Sequence, residues 1–180
     1  MRAQYLVAML LVLLPTAAIP QTAQQEVIGE LVVRAPGIVS VGNHWVHLLG
    51  VEGPDAEATC ERNGMPFACG VVAMAKLAEI ANGRIQHCRL QSFPGDSRWW
   101  GTCVPYDTNL RGPSPTAISV NQAWVQSGWG RAHTLHTDAY TADEAGARAE
   151  KRGIWATAWP QDGIKGLGSV EGAARVEIGR

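Results

Sequence analysis

The stretch "HLLGVEGPDAEATC", His47 to Cys60, carries an apolar run through a Gly into Glu52, Gly53, Pro54 and Asp55. A strand that delivers two carboxylates into a turn can hold a metal ion or a general base. The same residues also suit a solvated turn. Further along, "DSRWWGTC" sets Arg98 and Trp100 on one face of a strand and Trp99 on the other. Arg98 and Trp100 are therefore candidates for a binding groove in which an indole stacks on a base or a sugar ring, with core packing as the competing use. "HWVH" places His44 and His47 three apart on a strand, hence on opposite faces, which makes a poor metal pair. His133 and His136 could share a helical face, but without a third ligand they read as a surface loop.

Several elements must position these groups. "EVIGELVV", "GIVSV" and "HWVHLLGV" read as three consecutive strands, the last two joined at Gly42-Asn43. In "PFACGVVAMAKLAEIANGR" the period changes to helical, with Val72, Met74, Ala75, Leu77, Ala78 and Ala81 recurring and Asn82-Gly83 as a stop. "RIQHCRL" and "RWWGTCV" follow as two more strands. "SVNQAWVQSGWG" predicts a short helix capped by Ser119 and stopped at Gly128. "TADEAGARAEKRGIW" predicts another, with Thr141 and Glu144 forming a capping box. Five strands, one helix after the third and helices at the end imply a mainly β, α+β fold: a small barrel with about three packed helices.

The first residues, 1–23, look like a secretory signal: Arg2, an apolar run from Tyr5 to Leu14, then Pro15 and small residues, with cleavage after Ala18 or Ala23. That run is short for a membrane anchor, and no later segment is apolar enough to span a bilayer. The expected mature domain covers residues 24–159, and the Gly-rich stretch 160–180 reads as a flexible tail. The formal net charge of −1, about −2 without Arg2, counts against nucleic acid as the main partner. Cys60, Cys69, Cys88 and Cys103 all follow the leader; an even count in an exported chain implies two disulfides, with three connectivities open. Without a C-x-x-C pair, zinc is the weaker alternative.

The order of elements and several motifs resemble the staphylococcal nuclease-like (thermonuclease) family. The resemblance runs ungapped from about Gly29 to Asp55 and resumes from Cys60 to Trp155. "VNQAWVQSGWG" is similar to the family's "LNxxLVxxGWA" helix. Tyr140, Glu144, Ala147, Arg148, Gly153 and Trp155 match its "YxxxExxARxxxxGxW" ending. "FACG" and the two strand cysteines look like the exported, disulfide-bearing bacterial branch. The resemblance implies an OB-fold barrel of five strands and a periplasmic or secreted location. The expected pairs are Cys60 with Cys69 and Cys88 with Cys103, because each closes a short loop and the second joins neighbouring strands.

The family's catalytic motifs are degenerate here. Its Asp-Gly-Asp-Thr segment corresponds to Ala35, Pro36, Gly37 and Ile38, which retain neither carboxylate. Its first catalytic Arg corresponds to His47, and its second acidic turn to Glu52, Gly53, Pro54 and Asp55. Only Arg98 corresponds to a retained catalytic Arg, with Asp96-Ser97 replacing the Tyr-Gly before it. Family members cut phosphodiesters with one calcium ion, which needs about six to eight oxygen ligands. Gly37 removes one ligand, Glu52 and Asp55 alter two more groups, and His47 is mostly uncharged where Arg would be fixed positive. These losses imply a non-catalytic protein that binds a ligand or a periplasmic protein, with no cofactor. One alternative is a weak calcium-dependent phosphodiesterase using Glu52, Asp55 and Arg98, with His47 as a vestige. Another is a periplasmic accessory to exopolysaccharide synthesis.

Overall fold

The computed structural model describes residues 23–81 and 83–157. Its elements are β1 (Gln24–Ala35), β2 (Ile38–Val41), β3 (His44–Leu48), β4 (Val51–Glu52), β5 (Cys60–Arg62) and β6 (Met65–Phe67). Helix α1 (Cys69–Ala81), β7 (Ile85–Gln91), β8 (Trp99–Asp107) and β9 (Gly112–Pro113) follow. The chain continues with α2 (Val120–Gln126), β10 (Arg131–Ala132), α3 (Thr141–Ala149) and a 3-10 turn at Gly153–Ala156. The expected leader and tail lie outside the described residues, as does Asn82.

Strand β1 alternates strictly, with Glu30, Val32 and Arg34 outward and Leu31 inward, as a half-buried strand should. Its length lets it pair twice. The first half meets β7 (Val27 opposite Cys88) and the second half meets β2 (Leu31 opposite Val41). Strands then follow the order β3-β2-β1-β7-β8, and β3 pairs in parallel with β8, so five strands close into a ring. The interior holds Leu31, Val39, Val41, Val46, Leu48 and Leu90, all nearly or fully buried. Among the described residues, no helix is long and apolar enough to cross a membrane.

Both expected disulfides are present. Cys88–Cys103 joins directly opposed residues of β7 and β8, and Cys60–Cys69 ties the β5–β6 hairpin to the start of α1. Closing loops of this size contributes about 3 kcal/mol each.

Three local expectations change. Helix α1 forms as expected but buries Cys69, Gly70, Ala73, Leu77 and Ala81, while Val71 and Val72 are exposed. The disulfide at Cys69 and the small residues at 70 and 73 draw a different face onto the ring. The strand expected through Val51 breaks at Leu49-Gly50, so β4 pairs with β10 and sets Glu52 opposite Arg131. The capping box on α3 does not form. Tyr140 occupies the cap position without a side-chain hydrogen bond, Thr141 donates to the carbonyl of Asp138, and Glu144 accepts from the Ala132 amide (2.7 Å) and from Arg148. A tertiary donor has outcompeted the local one.

Helix α2 is placed as its sequence implies. Ser119 Oγ accepts from the Gln122 amide (3.0 Å), and Trp124 and Val125 are buried. Asn121, fully buried, donates from Nδ2 to the carbonyls of Leu49 (2.9 Å) and Gly101 (3.0 Å) and accepts from the Cys103 amide. One side chain thus satisfies three backbone groups at the seam where the ring closes.

Candidate functional site

The parallel pairing of β3 with β8 sets His47 beside Trp100. Their rings lie 5.2 Å apart, Trp100 is fully buried and His47 is 8% exposed. Ahead of β8, the turn at Pro94-Gly95 returns Asp96 towards this corner. Asp96 Oδ1 accepts from the Arg98 amide (2.9 Å) and from Arg98 Nε (2.8 Å). Asp96 Oδ2 accepts from Arg98 Nη2 (3.0 Å) and from Trp100 Nε1 (2.8 Å). The guanidinium also lies over the Trp100 ring, 5.0 Å from its centroid. From the loop after β10, His136 meets the edge of Trp100 at 4.9 Å and stacks on Phe93 at 3.7 Å.

This network fixes the charges. Hydrogen bonds from the Arg98 side chain are the largest cause holding the Asp96 carboxyl far below the usual carboxylate range, so it stays ionised and is a poor proton acceptor. Burial pulls the His47 pKa down, with the nearby Arg98 charge adding to the effect and Asp96 opposing it. Burial likewise lowers His136, with Asp96 again opposing. Both histidines are therefore neutral at pH 7. His47 Nδ1 and His136 Nε2 are buried without a hydrogen-bond partner among the described residues.

The acidic turn is organised differently. Pro36-Gly37 makes the β1–β2 turn, and Gly37 has φ +80°, a left-handed conformation that glycine adopts freely. A Cβ on Gly37 would sit 3.5 Å from the Trp124 ring and 3.9 Å from the Glu52 Cα. Gly37 and Glu52 are thus neighbours over the indole. The Glu52 carboxylate, however, stands 4.0 Å from Arg131 Nη1 and 3.9 Å from His133 Nε2. Asp55 is exposed; its backbone carbonyl accepts from the Ala58 amide (2.9 Å). Among the described residues, no three His, Cys, Asp or Glu side chains gather in a way that could hold a metal ion.

Of the candidates from sequence, the structure brings together His47, Arg98 and Trp100 in one corner and sets Glu52 and Asp55 on a separate turn. Of the two uses expected for Trp100, core packing is the one seen. Trp100 cannot serve as a stacking platform, because its ring is fully buried beneath Arg98 and between two histidines. His133 and His136 sit on a loop, not on a helix. Phe93 is a member of the corner that the sequence did not single out, and Asp96 and His136, named there in other settings, also belong to it. The one available signal was "GDSR", in which an Asp after a Gly can accept from the amide two residues on. No family model matches the chain, and no curated protein matches it.

Proposed function

We propose that this chain is an exported, thermonuclease-like OB-fold protein whose nuclease centre no longer cuts phosphodiesters, and that it binds a ligand or a protein partner outside the cytoplasm. The ring of five strands with three helices, the motif residues Asn121, Val125, Gly128, Trp129, Glu144 and Arg148, and the two disulfides support the family and the compartment. The observation that carries the loss of catalysis is the Asp96–Arg98 pair. A phosphate clamp must present its guanidinium to substrate. Here the Arg98 guanidinium donates from Nε and Nη2 to a carboxylate of the same chain, and the Arg98 backbone amide adds a third bond.

The remaining acids do not fit a calcium ion. Gly37 offers no oxygen from its side chain, Glu52 is placed against two cationic or basic groups, and the Asp55 carboxylate is exposed on the turn beyond. Titration calorimetry with calcium tests this directly. The expected result is no binding that depends on Glu52 or Asp55. A dissociation constant below about 10⁻⁴ M, abolished by Asp55→Ala, would contradict it and favour the phosphodiesterase reading.

A further inference from the structure

The outer face of β1, β2 and β3 carries an apolar surface open to solvent. Val32, Ser40 and Trp45 form one row across it, since Val32 lies opposite Ser40 and Ser40 opposite Trp45. Trp45 is 63% exposed and Val32 is exposed as well, while the small Ser40 is buried and floors the space between them. Ile28 and Ile85, both exposed, extend the same face along β1 and onto β7. Single exposed apolar side chains are ordinary, but a contiguous patch with a charged rim marks an interaction surface. The rim here has a definite order. Glu30 stands two residues before Val32 and Arg34 two residues after it, both exposed and on the same face of the strand. Arg34 is held away from Glu30: its Nε donates to Ser40 Oγ (3.0 Å), and its guanidinium lies 5.7 Å from the Trp45 ring centroid. Glu30 has no ion pair among the described residues.

We propose that this face is the contact surface of a homodimer. A two-fold axis laid along the Val32–Ser40–Trp45 row brings each member of the row onto its own copy and reverses the direction of β1. Val32 then meets the partner's Val32, the two indoles meet at the far end of the row, and Glu30 faces the partner's Arg34 at two equivalent places. The order acid, apolar, base about Val32 thus puts opposite signs together, which commits the face to a second copy of this chain. Sheets packed face to face lie about 10 Å apart, a gap that indole and guanidinium side chains from both sides fill. The dimer does not depend on whether the chain still cuts phosphodiesters.

The test is sedimentation equilibrium on the mature chain, with Trp45→Ser, Glu30→Arg and Arg34→Glu beside it. At about 0.1 mM the native chain should be dimeric, which requires a dissociation constant in the micromolar range. Trp45→Ser should weaken association at least about tenfold. Each charge reversal alone sets like charges together at both contacts and should give monomers. Mixing the two reversed variants restores opposite signs at both contacts, so an equimolar mixture should form a one-to-one heterodimer. Loss of the Arg34–Ser40 bond alone could not produce that rescue. A monomeric native chain overturns the proposal, including one whose face proves to receive a different protein. A dimer that survives all three substitutions overturns it too, as does a mixture that stays monomeric. Should a charge variant not fold, Val32→Asp and Trp45→Ser, both at exposed positions, must each weaken the dimer at least about tenfold, and an unchanged dimer overturns the proposal equally.

Discussion

The corner at Arg98 and the turn at Glu52–Asp55 occupy the two halves of what the family resemblance makes one catalytic centre, yet they are built in opposite ways. In the corner, each charge has a partner at hydrogen-bond distance and the central ring is wholly buried. On the turn, Glu52 meets its partners only near 4 Å and Asp55 is exposed. Exposure does not separate the two charged groups, since the Glu52 side chain is 12% exposed against 16% for Asp96 and 31% for Arg98; the closeness of their hydrogen-bond partners does. The corner is therefore tied into the fold by short hydrogen bonds around a buried ring, while the turn is held by longer contacts.

Truncating the centre of the corner should produce the largest effect. Trp100→Ala removes a fully buried indole and the donor to Asp96, and should cost about 3–5 kcal/mol in urea denaturation. A cost below about 1 kcal/mol would mean that the corner is not the structural half at all.

A smaller effect is expected from acid. His47 and His136 both have pKa values lowered from the ordinary 6.5. The unfolded chain therefore binds protons first as pH falls, and folded stability decreases from about pH 7 to about pH 5. Asp96, shifted below its ordinary 3.8, contributes stability that is present above that value and is lost only as pH falls below it. The two windows are separable: His47→Gln with His136→Gln should flatten the melting temperature between about pH 7 and 5 and leave the steeper loss below about pH 4. A native melting temperature that is constant across the upper window would remove the histidines from the account.

The acidic turn should respond least. Glu52→Gln should change stability by about 0.2–1 kcal/mol, given the long separations to Arg131 and His133. Asp55→Ala should stay within about ±0.5 kcal/mol. A loss from Asp55→Ala comparable to that from Trp100→Ala would erase the contrast between the two halves.

Much of the fold was legible because it rests on local patterns. The strand at β1 and the Ser119 cap are each specified within a few residues, the two disulfides close over separations of 9 and 15 residues, and all of them formed. What failed to read involved competition at a distance. Glu144 left its capping role for the Ala132 amide, and α1 turned a different face inward because a disulfide and Gly70 draw its first turn close. In the candidate site, sequence named His47, Arg98 and Trp100 as functional candidates, and Asp96 only as a departure from the family's motif. The parallel pairing of β3 with β8, remote in sequence, sets the buried Trp100 indole beside His47, and Asp96 closes on it from four residues upstream.

The central claim, that the corner has become structural and no longer catalytic, meets its most direct test in a nuclease assay of the purified mature protein. DNA and RNA would be incubated with calcium, with and without chelator, beside Arg98→Ala and a variant combining Gly37→Asp, His47→Arg, Glu52→Asp and Asp55→Glu. Cleavage by the native protein should stay at background, and His47→Arg alone should not raise it, since the acid missing at Gly37 stays missing. Chelator-sensitive cleavage by the native protein, lost in Arg98→Ala, would contradict the account and show that Arg98 still reaches a substrate past Asp96.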